Sequence, residues 1–537
     1  MKTIFLRPLL AVLLLFFLVL SGCLSSSRWR REPVNKIGPV DVFAPETAFN
    51  IREGVDAVSG QLLVRLKPGA DPGRVFQAVG GSEIQHYEEL DWYRIAYDPR
   101  FDLVAAGREL LQTGQVYIVE PNYLAEISTE PFTEPPNDPY FHLQWGLEKI
   151  NALAGWKETT GSEEIIIAVL DTGIDHTHPD LDGKVVGGWN FTPDIPGDES
   201  DMPGDDHGHG THVAGIAAAR TGNEIGIAGV APACQLLAVK VLSATGRGDY
   251  EGIGKGIMWA VDQGAHVINM SLSGRLYSRF LQEAVEYALG KGVPVVAAVG
   301  NEHKYYDNVY PAAYPGVISV GAVKSDKTKA DFSTEGGHLF LTAPGQAIYS
   351  TVPGGYESWR GTSMATPFVS GAVALFKSKW PDLDWDINMV HAQLKKTAED
   401  LAVPGWDPET GWGLLDLGRA LAGDQPQTND LFGTLVVIVK DNNGEVVKYG
   451  RILLREENTP AGRCRDLNTM TNEEGKALFM AQPAGTYRIW AAKDGLRGEG
   501  TATVTAGETC EVTVTVRSPL QKNKGARRQG PKNRISR

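Results

Sequence analysis

Between Asp138 and Gly423 the chain alternates short, wholly apolar runs with longer segments of helical period. The first kind reads IIIAVLD, QLLAVKVL, HVINMSLS, PVVAAVGN and VISVGAV; the second HVAGIAAAR, YEGIGKGIMWAVDQG and RFLQEAVEYALGKG. A strand with no polar side must be covered on both faces, and connections long enough to hold a helix are those of parallel strands. The pattern predicts an α/β domain: a mostly parallel sheet with helices on both faces. Such sheets bind ligands outside the carboxyl ends of their strands, so polar residues at those ends are the first place to look for chemistry.

The full chain has 537 residues, which at roughly 100 to 200 residues per domain leaves room for two or three more units. Upstream, residues 60–127 read strand, helix, strand, strand, helix, strand, the order of a small ferredoxin-like α+β domain. The stretch 128–137, rich in Pro and acid, reads as an exposed linker. Downstream, 424–430 is a second linker, and 431–517 loses the helical period for alternating strands such as TLVVIVKD and CEVTVTV, with DNNG as a hairpin turn. That segment predicts an all-β sandwich. Its TNEEGKALF and PAGTY resemble carboxypeptidase-regulatory-like sandwiches.

The N-terminus begins with Lys2 and Arg7 and continues with the apolar run Leu9 to Leu20, too short for a span that needs about 20 residues. It reads as an export signal over residues 1–22. Leu20-Ser21-Gly22-Cys23 resembles the bacterial lipoprotein box, which implies a lipid on Cys23, a tether over 23–59 and an extracytoplasmic, membrane-anchored protein. A plain secretory signal or an uncleaved anchor, with an incidental cysteine, is the other reading. The net charge of −14 argues against a nucleic-acid partner. Against that acidic background, 518–537 carries seven Lys or Arg and no acid, a disordered basic tail suited to anionic envelope polymers or equally to solubility alone.

Four segments of the large domain carry candidate chemistry. IIIAVLDTGID delivers Asp171 to a strand's carboxyl end and PVVAAVGNE delivers Asn301; HGHGTHVAG opens a helix at His209, and GTSMATPFVSGAVALF opens another at Ser363, with Pro367 expected in its first turn. A serine hydroxyl needs a base, an imidazole base needs a carboxylate to hold its tautomer, and an amide can donate to the developing oxyanion. Singly, each residue has a plainer structural reading, such as a helix cap for Ser363. As a set in the order Asp, His, Ser they resemble the subtilisin-like serine proteases, or subtilases, with thermitase-like and fervidolysin-like features.

The resemblance implies a zymogen of a serine endopeptidase. Residues 138–423 are its catalytic domain and 60–127 its inhibitory propeptide. Asp171 orients the base, His209 is base and then acid, Ser363 is the nucleophile and Asn301 the oxyanion donor. The family motif selects His209 over His207 and His212. Ser271, Leu272 and Ser273 resemble one substrate-pairing edge and Gly246, Arg247 and Gly248 the other, so that a protein or peptide substrate adds as a strand. Val309 falls where some members have Gly at the floor of the primary pocket. Asp138, Asp180, Thr221, Asn223, Ile225 and Ile227 match the strong structural calcium site, whose mixed oxygens suit Ca2+. A second acidic loop, with Asp198, Asp201, Asp205 and Asp206, is either another calcium site or simply solvated. No organic cofactor is implied. A bridge between Cys464 and Cys510 is left open, and Cys234 is expected in the core. The rival reading is a lipid-anchored surface binding protein on an inactive subtilase scaffold.

Overall fold

The computed structural model describes residues 57–88, 91–123, 135–192, 202–305, 308–423, 431–457 and 465–518. The export signal, Cys23, the tether up to residue 56, the processing linker up to residue 134, Asp198, Asp201, the 424–430 linker, Cys464 and the basic tail from residue 519 lie outside these. The chain divides into two compact units, Met1–Thr129 and Glu130–Arg537.

The first unit runs β1 (Ala57–Leu66), α1 (Pro72–Gln77), β2 (Ser82–Tyr87), β3 (Trp92–Ala96), α2 (Leu103–Gln112) and β4 (Val116–Tyr123). The antiparallel sheet has the order β2-β3-β1-β4. This is the expected α+β unit. Asp71 and Asp102 cap its helices by accepting from Gly73 and Ala105 N–H groups at 3.0 and 2.6 Å. Leu62, Val64, Ile95, Val75, Phe76 and Leu110 form its core.

The second unit holds a seven-stranded parallel sheet of β5 (Ile166–Asp171), β6 (Val185–Asn190), β7 (Gln235–Lys240), β8 (Val267–Met270), β9 (Val295–Ala298), β10 (Ile318–Val323) and β11 (Leu341–Pro344). Its order is β11-β10-β9-β8-β5-β7-β6, with every pairing parallel. From β5 the chain passes to the edge strand β6, returns to place β7 between them, then crosses to β8 on the other side and builds outward to β11. The carboxyl end of β5 is therefore the switch point where a crevice opens, and Asp171 ends that strand.

Two short helices, α3 (Trp145–Lys149) and α4 (Ala152–Trp156), lead into the sheet. The larger helices are α5 (His209–Ala218), α6 (Tyr250–Asp262), α7 (Arg279–Gly290) and α8 (Thr362–Lys379), followed by α9 (Ile387–Thr397) and α10 (Leu417–Leu421). Helix α5 packs on α8, and α6 on α7. Every residue of β8, β9 and β10 is buried, as a sheet covered on both faces requires. A hairpin of β12 (Ile348–Val352) and β13 (Gly355–Trp359) packs against α5.

The C-terminal part is the expected sandwich, a three-stranded sheet β17-β14-β20 facing a four-stranded sheet β16-β15-β18-β19. Its strands are β14 (Phe432–Lys440), β15 (Arg451–Glu456), β16 (Asp466–Met470), β17 (Lys476–Pro483), β18 (Gly485–Lys493), β19 (Leu496–Val504) and β20 (Thr509–Thr515). DNNG does turn the chain, with Gly444 N–H donating to the Asp441 carbonyl at 3.2 Å. It closes a short hairpin: Lys440 pairs antiparallel with Val446, and Val447 N–H donates to the Val439 carbonyl at 2.8 Å. The next long strand, β15, then joins the opposite sheet, while β14 pairs with β17 and, in parallel, β20.

Candidate active site

Three structural elements converge on Asp171, which is fully buried at the end of β5. Its Oδ1 accepts from His209 Nδ1 at 2.7 Å and from Thr172 N–H at 2.8 Å. The approach demands glycine: a Cβ on Gly210 would lie 2.0 Å from the Gly173 carbonyl and 3.2 Å from Asp171 Cβ. This is the local reason for the HGT and DTG sequences. Asp205 organises the same turn. Its Oδ1 accepts from Thr172 Oγ1 at 2.8 Å and from His207 and Gly208 N–H, and its Oδ2 accepts from the N–H and hydroxyl of Thr211. Asp206 pairs with buried Lys240 at 2.7 Å. Both carboxylates are thus committed to protein partners, which leaves them poor candidates for a second calcium site.

Burial disfavours the His209 imidazolium, but the charge and hydrogen bond of Asp171, with Asp205 behind, outweigh it and hold the ring above its usual value. His212 faces the interior instead. It stacks on Trp359 with ring centroids 4.8 Å apart, and burial pushes it down to about 3.

Ser363 is the second residue of α8. The helix starts one residue earlier than expected, so Pro367 is its sixth residue and stands in the second turn, beyond the positions whose N–H groups go unused. Asn301 lies three residues past β9. Its Oδ1 accepts from the Thr362 N–H and hydroxyl at 2.9 and 3.1 Å, which leaves Nδ2 as the free end, facing the Gly361 turn. Thr362 therefore fixes the amide's orientation, a role that the sequence reading missed and that its place beside Ser363 could have signalled.

Ser363 and His209 belong to two clefts. One, of about 550 Å3, is lined by Ser271, Leu272 and Ser273 on one side and Gly246, Arg247 and Gly248 on the other, bringing both expected edges together. Leu242, Tyr250 and Ile253 complete it and were not anticipated; Tyr250 and Ile253 share one face of α6 just beyond Gly248. The second cleft, of about 590 Å3, contains Asn301 with Gln346, Ser358, Trp359 and Arg360. Val309 is buried against Gly300, and Tyr310 pairs with Gly274 in both directions, at 2.7 and 2.8 Å, beside the Ser271–Ser273 edge.

At the proposed cation site Asp138 Oδ2 accepts from Gly222 N–H at 2.8 Å, while its buried Oδ1 has no partner among the described residues. Asp180 accepts from Asn223 Nδ2, Ile227 N–H and the Tyr356 hydroxyl. Burial raises both carboxyls, and Asp180 raises Asp138 further. The carbonyls of Thr221, Ile225 and Ile227 accept no backbone hydrogen bond among the described residues. Two buried neighbouring carboxylates, an orphaned oxygen and open carbonyls fit a hard divalent cation. Among the described residues no group of three or more His, Cys, Asp or Glu gathers for a metal, so an ion here would draw on amide and carbonyl oxygens too. Cys234 is buried near Ser378, and Cys510 Sγ accepts from Thr505 N–H.

A carboxylate–imidazole pair at the switch point of a parallel sheet, beside a serine on a helix N-terminus, defines a serine-type peptidase centre. Comparison with known proteins agrees. Residues 162–413 match the subtilase family profile, and 43–122 match the fervidolysin N-terminal prodomain, which therefore reaches into the stretch expected to be tether. Thermitase of Thermoactinomyces vulgaris is 45% identical over 272 residues, covering 50% of this chain and 94% of thermitase. Fervidolysin of Fervidobacterium pennivorans is 32% identical over 503 residues, covering 82% and 68%. The crystal structure of fervidolysin, described as a keratinolytic enzyme related to subtilisin, superposes with a TM-score of 0.61 at 27% identity, covering 86% of this chain and 79% of that one. The chain belongs to the subtilase family. It is a subtilisin-like serine endopeptidase with an N-terminal prodomain.

Proposed function

We propose that the protein is an extracytoplasmic endopeptidase, anchored by lipid on Cys23, that removes its own propeptide and then cleaves extended polypeptides. The observation that carries the catalytic reading is the 2.7 Å bond from His209 Nδ1 to Asp171 in a cleft shared with Ser363 and Asn301. With Nδ1–H donated to Asp171, Nε2 is the basic nitrogen. It takes the Ser363 proton as Oγ attacks the peptide carbonyl, then returns it to the departing amine, so the acyl group rests on Ser363 until water removes it. Asn301 Nδ2 donates to the oxyanion. Substrate pairs with the Ser271–Ser273 and Gly246–Gly248 edges through main-chain bonds, which makes specificity broad, while Val309 shortens the primary pocket. Asp138, Asp180, Asn223 and the carbonyls of Thr221, Ile225 and Ile227 would hold Ca2+, supplying charge to two buried carboxylates. The propeptide acts as inhibitor, and the basic tail adds an electrostatic contact with anionic envelope polymers.

A phosphonylating serine reagent tests the enzyme: the propeptide-free protein should carry one adduct, on Ser363. A folded protein without it would return the surface-binding alternative. N-terminal sequencing and mass analysis of the mature form test the anchor, with an unmodified Cys23 as the adverse result.

A further inference from the structure

The two clefts meet at Ser363 and His209. A polypeptide whose acyl side lies along the edge segments of the first must carry its leaving-group side through the second. In that second wall Arg360 is exposed, three residues before the nucleophile. Its wall neighbours Gln346, Ser358 and Trp359 are uncharged, and Glu357 is engaged by Trp359 Nε1 at 2.7 Å. Arg360 makes no ion pair with any described residue. A guanidinium keeps its charge at any working pH and pairs best with carboxylates.

The geometry points to Arg360 as a specificity-determining residue that selects acidic side chains one or two positions past the scissile bond. This rests on the peptidase reading above and deepens it. An extended chain advances about 3.3 Å per residue, so the first positions past the bond lie within reach of a long side chain three residues from the nucleophile.

The chain's own processing linker supplies a separate observation. From Ser128 to Glu134 it reads STEPFTE. Within these seven residues, every bond not followed by Pro except Pro131–Phe132 places Glu130 or Glu134 one or two residues past the cut. Self-processing within this stretch would thus put an acid at the position Arg360 is inferred to select. The chain as a whole, with its net charge of −14, otherwise repels acidic sequence.

The test uses the processed protein and internally quenched peptides that are identical on the acyl side and carry Glu, Gln or Lys two residues past the bond. The wild type should cleave the Glu peptide with a kcat/KM about twofold to fivefold above the Gln peptide, the range of an exposed ion pair, with Lys below both and the ratio falling as salt rises. Arg360→Gln should bring the Glu to Gln ratio near one, Arg360→Lys should keep part of it, and Arg360→Glu should invert it. In the full chain, Glu130→Gln with Glu134→Gln should slow propeptide release. Equal cleavage of Glu and Gln peptides by the wild type, or a ratio untouched by Arg360→Gln, overturns the inference while leaving the peptidase reading intact. A protein that cleaves none of the peptides and takes no phosphonyl group on Ser363 loses both.

Discussion

Ser271 and Ser363 exchange two hydrogen bonds: the Ser271 hydroxyl donates to the Ser363 carbonyl at 2.8 Å, and the Ser363 hydroxyl donates to the Ser271 carbonyl at 3.1 Å. The cause lies four residues along α8. Pro367 has no N–H, so the Ser363 carbonyl lacks its helical partner, and the Ser271 hydroxyl takes that place. Asn269 Nδ2 donates to Ser271 Oγ at 3.0 Å, and the Ser370 hydroxyl donates to Asn269 Oδ1 at 2.8 Å. The substrate edge and the first turns of the nucleophile's helix are one hydrogen-bonded assembly.

Ser271→Ala should therefore lower kcat and thermal stability together while changing KM little. An unsatisfied buried carbonyl costs about 1 to 3 kcal/mol. Adding Pro367→Ala restores an N–H at the deprived position and should recover part of the loss in melting temperature. Steady-state kinetics and thermal melts of the two single variants and the double variant decide this. Strictly additive losses would remove the argument.

Asp205 should contribute, behind Asp171, to the pH at which the enzyme switches on. The groups facing His209 are Asp171 and Asp205 as charges, His207 at a ring distance of 6.3 Å, and His212, held neutral. Because the active base is neutral imidazole and the carboxylates raise its pKa, kcat/KM should rise with pH through a value above the ordinary imidazole figure of about 6.5. Asp205→Asn removes one negative charge, so that acidic limb should move to lower pH while maximal kcat falls through the looser turn. Burial would raise the Asp205 carboxyl, but its hydrogen bonds prevail and lower it. The stability it lends is therefore present above its unfolded pKa and lost as pH falls through the lower folded value. A pH profile of kcat/KM with an unmoved acidic limb in the variant would refute the charge coupling.

Period and composition made the sheet, its covered faces and the sandwich legible, because a fully apolar strand admits few environments. Asp171, His209, Ser363 and Asn301 were legible because each sits inside a motif whose spacing is tied to a turn: Gly210 must be glycine for α5 to touch the Asp171 loop. Thr362 and Arg360 are not read as functional in the sequence, and Asp205 reads only as a candidate calcium ligand or a solvated acid, since their roles depend on what folding brings alongside them. Asp205 looks like one acid in an acidic loop and is instead a half-buried hydrogen-bonding hub. Pro367 was assigned to the first turn because sequence does not reveal at which residue a helix starts. The DNNG turn was visible, but a turn does not say which sheet receives the next strand.

Chelation should shorten the protein's lifetime more than it lowers its initial rate. Without an ion, burial pushes Asp138 and Asp180 up, and the Asp180 charge raises Asp138 further, so above those raised values the ionised pair works against the folded state. A divalent cation bound only to the folded form reverses this, adding about 2.7 kcal/mol at a hundredfold excess over its dissociation constant. Half-lives at elevated temperature should lengthen with calcium and shorten with a strong chelator, and Asp138→Asn should erase the difference. Equal half-lives in calcium and chelator would show that these residues hold no ion of consequence.

The sandwich should prove inseparable from the stability of the catalytic domain. Phe432, at its first strand, is fully buried in the catalytic core, with ring centroids 6.1 Å from Phe340 and 5.9 Å from His391. Burial pushes His391 down to about 4, so it packs there as a neutral ring. Polar ties flank this contact: Ala481 N–H donates to Asn388 Oδ1 at 3.0 Å, the Thr469 hydroxyl to Gln282 Oε1 at 2.9 Å, and Arg279 to the Met470 carbonyl at 3.4 Å. An interface that includes a core phenylalanine and buried hydrogen bonds couples unfolding on its two sides. Calorimetry of the mature protein should show one cooperative transition for both parts. Phe432→Ala, which opens a cavity in the catalytic core, should cost about 3 to 5 kcal/mol and lower the temperature of protease inactivation by the same step. Two independent transitions, with inactivation following only one and indifferent to Phe432→Ala, would mean that the sandwich is a passenger.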